Sequence, residues 1–338
     1  MLGPAVQNQV RMLVRHSVTV LMLAVAMAVL APSRALAHAG LSAPVATSYQ
    51  AEVAQTPPGI EAKVVDGDQR LWLRAAPSLT VVVTGLRGEP YLRFAPSGVW
   101  ENQSSPTTYL NKPRPQVPPH GAVPGAPPRW KRVSTGHSFQ WHEDRLHSLA
   151  ATARSGAARF VGTWTVPLTV GGKQGHITGG LSYKPNPSIL WFWPLVVLTV
   201  CCGLLLRMKS PRVDGVMALV LGATTLVAII VARAGRGLFG RPDISTGGVI
   251  EFGAYAAIAL AGLCLLAFPR RRDTGVAIAA VVGFAVGVGL IPVLTRGFVL
   301  SALPDTLQRV AVSLTLAGCV SCLLVLVLGQ RTRAKAKS

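Results

Sequence analysis

The sequence predicts a membrane protein in two parts: an exported all-β domain, an immunoglobulin-like sandwich, followed by a five-helix α transmembrane bundle. Three observations predict it. Long uncharged apolar runs are confined to the second half, a secretory leader opens the chain, and the region between alternates apolar and polar residues. Of 338 residues, half are hydrophobic and only 14% are charged. That balance excludes a purely soluble enzyme and a disordered chain.

Residues 1–37 read as a signal peptide. Arg11, Arg15 and His16 precede the apolar stretch Ser17 to Ala31, and Pro32-Ser33-Arg34 leads into Ala35-Leu36-Ala37. Basic, apolar and small-residue segments in that order form a secretory signal with an A-x-A cleavage site. Its apolar core is shorter than the ~20 residues that a spanning helix takes, which favours cleavage over a retained anchor. A cut after Ala37 leaves His38 as the first residue. Ala37-His38-Ala39 is a second A-x-A, and a cut there removes His38.

Residues 188–330 hold five predicted spans, 189–206, 215–232, 249–268, 275–295 and 310–328, joined by short connections. Each is long enough to cross about 30 Å of hydrocarbon. Their orientation follows from the flanking bases, because Lys and Arg are retained on the cytoplasmic side. Arg207, Lys209, Arg212, Arg270, Arg271 and Arg272, with Arg331, Arg333, Lys335 and Lys337 of the tail 331–338, fall on one side, ten in all. Arg233, Arg236, Arg241, Arg296 and Arg309, five, fall on the other. Both this bias and the leader place residues 38–187 outside the cytoplasm and the C-terminus inside, in a multi-pass cell-membrane protein. Trp191-Phe192-Trp193 supplies an aromatic anchor at the outer interface.

Charge fits the same reading. Lys and Arg outnumber Asp and Glu by 33 to 13, a net +20. Residues 188–338 carry fifteen bases against five acids, so half the excess sits around the spans. There it sets topology or meets lipid head groups, and the bilayer is the expected partner; no nucleic acid is implied. Small-xxx-small spacings, Gly283 with Gly287 and Gly253 with Ala257 and Ala261, predict close helix packing or a dimer face.

In the exported domain, residues 49–54, 60–65, 70–74, 79–84, 91–94, 159–170 and 174–183 read as strands between Gly, Pro and Asp turns. Asp66-Gly67 and Gly171-Gly172 are hairpin signals. Residues 111–129 form a Pro-rich loop that cannot enter a ladder. All five cysteines lie in the spans, so no disulfide holds the domain. Cys319 and Cys322 have C-x-x-C spacing, which suits a soft metal or, in a Leu/Val-rich span, simple packing.

Histidine carries the chemistry. His137, His142 and His147 fall within eleven residues together with Glu143 and Asp144. Imidazole is the commonest transition-metal ligand, and a carboxylate can orient its second nitrogen. An N-terminal His38 would add its amine and ring, and copper is the divalent ion that such nitrogen ligands hold tightest. His38, His142 and His147 are therefore the candidate metal ligands, with His137 as a further one. The same run can instead close into a polar cluster around Trp141, with Arg145 paired to Glu143 or Asp144. No nucleophile elbow, phosphate loop, H-E-x-x-H helix or dinucleotide fingerprint accompanies it, so catalysis is not the expectation.

Gly88-Glu89-Pro90-Tyr91-Leu92-Arg93-Phe94, Gly98-Val99, Asn102, Ser105-Pro106, Tyr109-Leu110-Asn111, Pro128-Arg129-Trp130 and Trp141-His142-Glu143-Asp144-Arg145-Leu146-His147 resemble a family of uncharacterised actinobacterial membrane proteins. The resemblance spans most of the chain and implies a leader, an exported domain and a membrane-spanning C-terminal half, with no activity attached. Family members read W-H-D-H-R-x-H-W-M where this chain has Glu143-Asp144 and Ser148-Leu149, which removes one candidate ligand. His38-Ala39 also resembles the start of periplasmic copper-resistance proteins. Two functions follow as expectations: an extracytoplasmic binding module, with copper as its candidate cofactor, or an assembly protein that docks another envelope protein or its own copy.

Overall fold

The computed structural model describes residues 44–112, 114–150, 157–208, 210–238 and 246–335. The leader and His38 lie outside these residues.

The β domain forms where the alternation predicts. It comprises β1 (Ala46–Thr47), β2 (Tyr49–Gln55), β3 (Ile60–Val65), β4 (Arg70–Ala75), β5 (Val81–Thr84), β6 (Pro90–Ala95), β7 (Gly98–Asn102), β8 (Trp130–Ser134), β9 (Ser138–His142), β10 (Arg159–Val170) and β11 (Lys173–Tyr183). One turn of helix, α1 (Thr107–Leu110), follows β7. A seven-stranded antiparallel sheet, ordered β2-β11-β10-β5-β6-β7-β8, faces a three-stranded sheet, β3-β4-β9. Alternate residues of β10 and β11, Trp164, Val166, Leu168, Ile177 and Leu181, point inward and meet Leu71, Leu73 and Trp141 of the smaller sheet. Phe94 and Trp141 bridge the layers with ring centroids 6.3 Å apart. The predicted sandwich is present, and of the predicted loop 111–129 the described residues, 111–112 and 114–129, run between α1 and β8.

The two predicted hairpin turns also form. Asp66 and Gly67 have φ of 63° and 81°, and Gly171 and Gly172 have 54° and 83°, the left-handed pairs that a tight hairpin requires. Four strands of the domain are not legible from alternation: β1, β7, β8 and β9. β7 and β8 join the sheet through a stack in which Arg93 lies 5.6 Å from the Trp100 ring and 4.8 Å from Trp130, and Arg132 lies 5.9 Å from Trp100. Such cation–π pairing satisfies a strand's outer face without apolar residues.

The helical half begins with a 3-10 turn, Ile189–Phe192, and continues as α2 (Trp193–Leu206), α3 (Pro211–Leu238), α4 (Thr246–Ala267), α5 (Arg272–Thr295) and, after a two-residue strand β12 (Phe298–Val299), α6 (Asp305–Lys335). Five of these segments are long and apolar enough to cross a membrane, which makes the chain a multi-pass membrane protein by length and composition. α3, α5 and α6 form the packed centre; α2 lies along α6, and α4 along α3 and α5. The outer helices turn most of their surface outward, with 17% of each span buried against 56% for α6. α3 and α6 outrun their predicted spans because Pro211 and Asp214, and Asp305, favour helix starts upstream of the hydrocarbon. Gly283 and Gly287 seat α6, since an added Cβ would stand 2.9 Å from Cys319 Cβ and 2.7 Å from Leu316 Cδ2. Gly253 of α4 faces open space and seats nothing within the chain.

The first turns of α6 close the end of the bundle nearest the β domain. Arg309, read from the sequence as a loop base, is 4% exposed. Its guanidinium donates to the carbonyls of Val293, Arg296 (2.9 Å) and Gly297 (3.0 Å), the orphan acceptors at the end of α5. Gln308 Nε2 donates to Ala232 O of α3 at 2.9 Å, and Ser313 Oγ to Trp191 O at 2.7 Å. Three elements are thus tied to one helix.

The β domain is fastened at the same place. β1 pairs with β12 (Ala46 with Val299, Thr47 with Phe298), and Leu300 N donates to Val45 O at 3.0 Å. Lys184 pairs with Asp305 at 3.0 Å, while Gly297 allows the loop to pass beneath Lys184, where any Cβ would be 2.2 Å from its carbonyl oxygen.

Hydrogen bonds to a charged donor contribute about 1.5–3 kcal/mol each. Arg309→Ala, which strands several carbonyls, is therefore expected to lower the melting temperature in detergent by many degrees. Arg309→Lys should recover only part of it, because an ammonium lacks the planar fork. Lys63→Ala, which removes an exposed pair with Glu61, should leave it nearly unchanged. Equal melting of Arg309→Ala and the parent would contradict this account.

Candidate functional site at the histidine-bearing corner

β9 runs beside β4 with Leu71 opposite Trp141 and Arg70 opposite His142, so Trp141 enters the core and His142 faces out. The next residue, Glu143, is fully buried. Its carboxylate accepts from Trp141 Nε1 at 2.9 Å and, in a two-toothed pair, from Arg145 Nε at 2.7 Å and Nη2 at 2.8 Å. It also caps the 3-10 turn Asp144–Leu146, accepting from Arg145 N. Of the two acids open to Arg145 in the sequence, Glu143 is the partner. Asp144 N donates to Asn111 Oδ1 at 2.9 Å, which ties the run to the end of α1.

Other motif residues do comparable structural work. Buried Glu89 accepts from Ser105 Oγ at 2.5 Å and Thr107 Oγ1 at 2.6 Å. Burial alone would raise its pKa, and these hydrogen bonds outweigh burial to hold it below the usual value. Asn102 donates to Pro90 O at 2.7 Å and accepts from Ser104 N and Arg129 N, both at 2.9 Å. The network pins both ends of the Pro-rich loop.

What remains outward-facing is imidazole and carboxylate. His142 Nε2 lies 3.1 Å from Asp144 Oδ1, and His147 Nδ1 is hydrogen-bonded to Asp68 Oδ2. Asp68 is buried, whereas the His147 side chain is 60% exposed. The Asp68 hydrogen bond, helped by the charges of Asp68 and Asp144, raises the His147 pKa against the opposing effect of partial burial. Tyr49 meets the His147 ring edge-on at 5.7 Å and holds the following segment through its hydroxyl on Ala150 O, 3.2 Å away. The sequence reading gives Asp68 no role beyond its place next to the Asp66-Gly67 turn. The signal was the second acid of Asp66-Gly67-Asp68, which a hairpin turn alone does not need.

Of the predicted ligands, the structure brings His142 and His147 to one corner. His137 precedes β9 and His142 ends it, about 16 Å apart if the chain is fully extended between them. His38 lies outside the described residues. The free nitrogens of the two corner histidines differ: His147 keeps Nε2 on a largely exposed ring, while His142 Nδ1 is buried without a partner. Among the described residues no three His, Cys, Asp or Glu side chains are grouped as a metal site would need. The C-x-x-C thiols are buried in packing contacts, Cys319 Sγ on Leu316 O at 3.1 Å and Cys322 Sγ 3.9 Å from Thr225 Oγ1.

The corner stands close to the junction with the bundle. Gly67, between Asp66 and Asp68, packs on Thr47 of β1, which pairs with Phe298. No known family, curated protein or solved structure matches the chain.

The raised His147 pKa fixes a sign. A His that gains a partner on folding contributes stability below its unfolded value, about 6.5, and loses it as pH rises through the folded value. The melting-temperature gap between the parent and His147→Ala should thus be largest near pH 6 and close in alkali. With the ring largely exposed, its size should stay under about 1 kcal/mol. Asp68→Asn should lower the His147 titration midpoint seen by NMR. A gap that widens with pH would contradict the pairing.

Proposed function

We propose that this multi-pass membrane protein presents its β-sandwich on the extracytoplasmic side as a rigidly seated binding and docking module, as in the actinobacterial membrane proteins it resembles. The single observation that carries the reading is the junction. A domain that only needed tethering would take a flexible linker. Here β1 is hydrogen-bonded to β12 between α5 and α6, and Lys184 is ion-paired to α6. The module therefore offers one fixed surface to a partner, either another envelope protein or a second copy. The leader and the distribution of Lys and Arg support the sidedness.

Sidedness has a direct test. Alkaline phosphatase inserted in the Pro-rich loop should be active, and a green fluorescent protein fused after residue 338 should fluoresce. The converse pattern rejects the reading.

Copper is a second reading, favoured by one feature. Asp68 orients the His147 ring through Nδ1 and leaves Nε2 free, as the outer carboxylate of a metal-bound histidine does. If leader cleavage exposes His38, its amine and ring would complete a nitrogen-rich set with His147, and with His142 once that ring turns. Cu(II) titration of the full mature chain, after its first residue is fixed by mass spectrometry, should show stoichiometric binding that His147→Ala weakens at least tenfold. Binding indifferent to His142→Ala and His147→Ala rejects these ligands. No binding, with a co-purifying membrane partner, leaves docking alone.

A further inference from the structure

We propose that the outer face of the larger sheet carries an oxyanion site, in which Arg93, held between Trp100 and Trp130 and joined by Arg132, takes the carboxylate or phosphate group of an acidic saccharide. The site lies on a different sheet from His142 and does not depend on which side of the membrane the domain faces.

Strand geometry builds it. Leu92 and Phe94 are buried in the sandwich core, so Arg93 between them points to the opposite face of β6. Register aligns Arg93 with Trp100 of β7, and Trp100 with Arg132 of β8. The two arginines thus stand two strands apart, about 10 Å between backbones, with an indole between them. The Arg93 guanidinium is 5.6 Å from the Trp100 ring and 4.8 Å from Trp130, so two indoles hold it in place. A fork fixed in advance loses little freedom on binding.

Hydrogen bonding defines what the site lacks. Arg93 Nε and Trp100 Nε1 are buried and meet no acceptor, a condition that native interiors seldom leave. Among the described residues the terminal nitrogens of Arg93 have no acceptor either, and they reach the surface. Every unfilled group here is a donor. Charge points the same way, since among the described residues no carboxylate pairs with Arg93, Lys131 or Arg132. Glu101, opposite Lys131 in the ladder, is taken by Lys112 at 3.3 Å. Across the sheet the row continues from Arg93 through Val82, Thr169 and Gln174 without an acid. Donors and cations without acceptors or acids complement an oxyanion, which a guanidinium holds in a charge-assisted pair.

The surroundings select the carrier of that group. Lys131 and Arg132 are exposed, so water and salt screen the face and would leave a lone ion weakly held. Half-buried Trp130 adds an aromatic surface beside the fork. A sugar ring can set its C–H face on the negative face of an indole while its charged group reaches the arginines.

The test titrates the full chain, in a sugar-free polyoxyethylene detergent, with trigalacturonate and with glucose 6-phosphate. At least one should bind and shift the indole N–H resonance of Trp100, assigned with Trp100→Phe. Inorganic phosphate and neutral maltotriose should bind about tenfold more weakly or not at all, each lacking one of the two contacts. Arg93→Gln should weaken the acidic saccharide about tenfold or more. Arg132→Gln, a change at an exposed side chain, should weaken it about threefold and serves as the test if Arg93→Gln does not fold. Lys63→Gln, which removes a cation 5.8 Å from the Trp72 ring on the other sheet, should leave binding unchanged. Absence of binding by either saccharide, or binding indifferent to both arginine variants, overturns the proposal. Triglutamate bound as tightly as trigalacturonate rejects a saccharide as the carrier.

Discussion

The architecture depends on how the end of a helix bundle is closed where it meets a second domain. Within hydrocarbon every backbone group must be satisfied by protein, and helix ends leave acceptors unpaired. Here the last carbonyls of α5 converge on Arg309, while Ala232 O of α3 and Trp191 O of the turn before α2 accept from Gln308 and Ser313 of the same helix. A buried guanidinium is costly when its charge is uncompensated. The negative end of the α5 dipole and several carbonyl oxygens compensate it without a buried carboxylate. Asp305, one turn earlier, is left to bind Lys184 of the β domain. The first turns of α6 thus close the bundle and fasten the sandwich.

That division of labour explains why the connection is short and stiff. β1 and β12 each contribute two residues, far too few to be stable as an isolated ladder. They persist because Gly297 lets the loop pass under Lys184 and because α5 and α6 hold both ends of β12 in place. Phe298 of the bundle end is thereby joined through Thr47 to Gly67, which adjoins Asp68.

The spans, the sandwich and both hairpins were legible because burial imposes a period on the sequence: uninterrupted apolar runs in lipid, alternation in a half-buried sheet. What stayed hidden was set by contacts distant in sequence. Arg309 reads as a topology-setting base until α5 is placed beside it. β8 reads as loop because Trp130, Lys131 and Arg132 break alternation, and its outer face is satisfied by Arg93 from another strand. At the histidine corner the sequence offered His137, His142 and His147 as equals. Strand geometry separates the first from the others, since His137 precedes β9 and His142 ends it, and a different hairpin supplies Asp68.

Burial also sorts the motif residues by role. Glu89, Asn102, Asn111 and Glu143 all point inward and spend their hydrogen bonds on backbone or on Ser105, Thr107, Trp141 and Arg145. The Glu89 carboxylate is held below its usual pKa by Ser105 and Thr107, and the Glu143 carboxylate accepts from Trp141 and Arg145. The acid of the run with the strongest sequence appeal, Glu143, is thus a structural anchor. Chemistry open to a ligand falls to the residues that the anchors hold in position: Asp144 with His142, and His147 on Asp68. Their imidazoles are oriented by carboxylates other than Glu89 and Glu143, so a ligand can engage the corner without competing for the bonds that those two acids give the loop and the 3-10 turn.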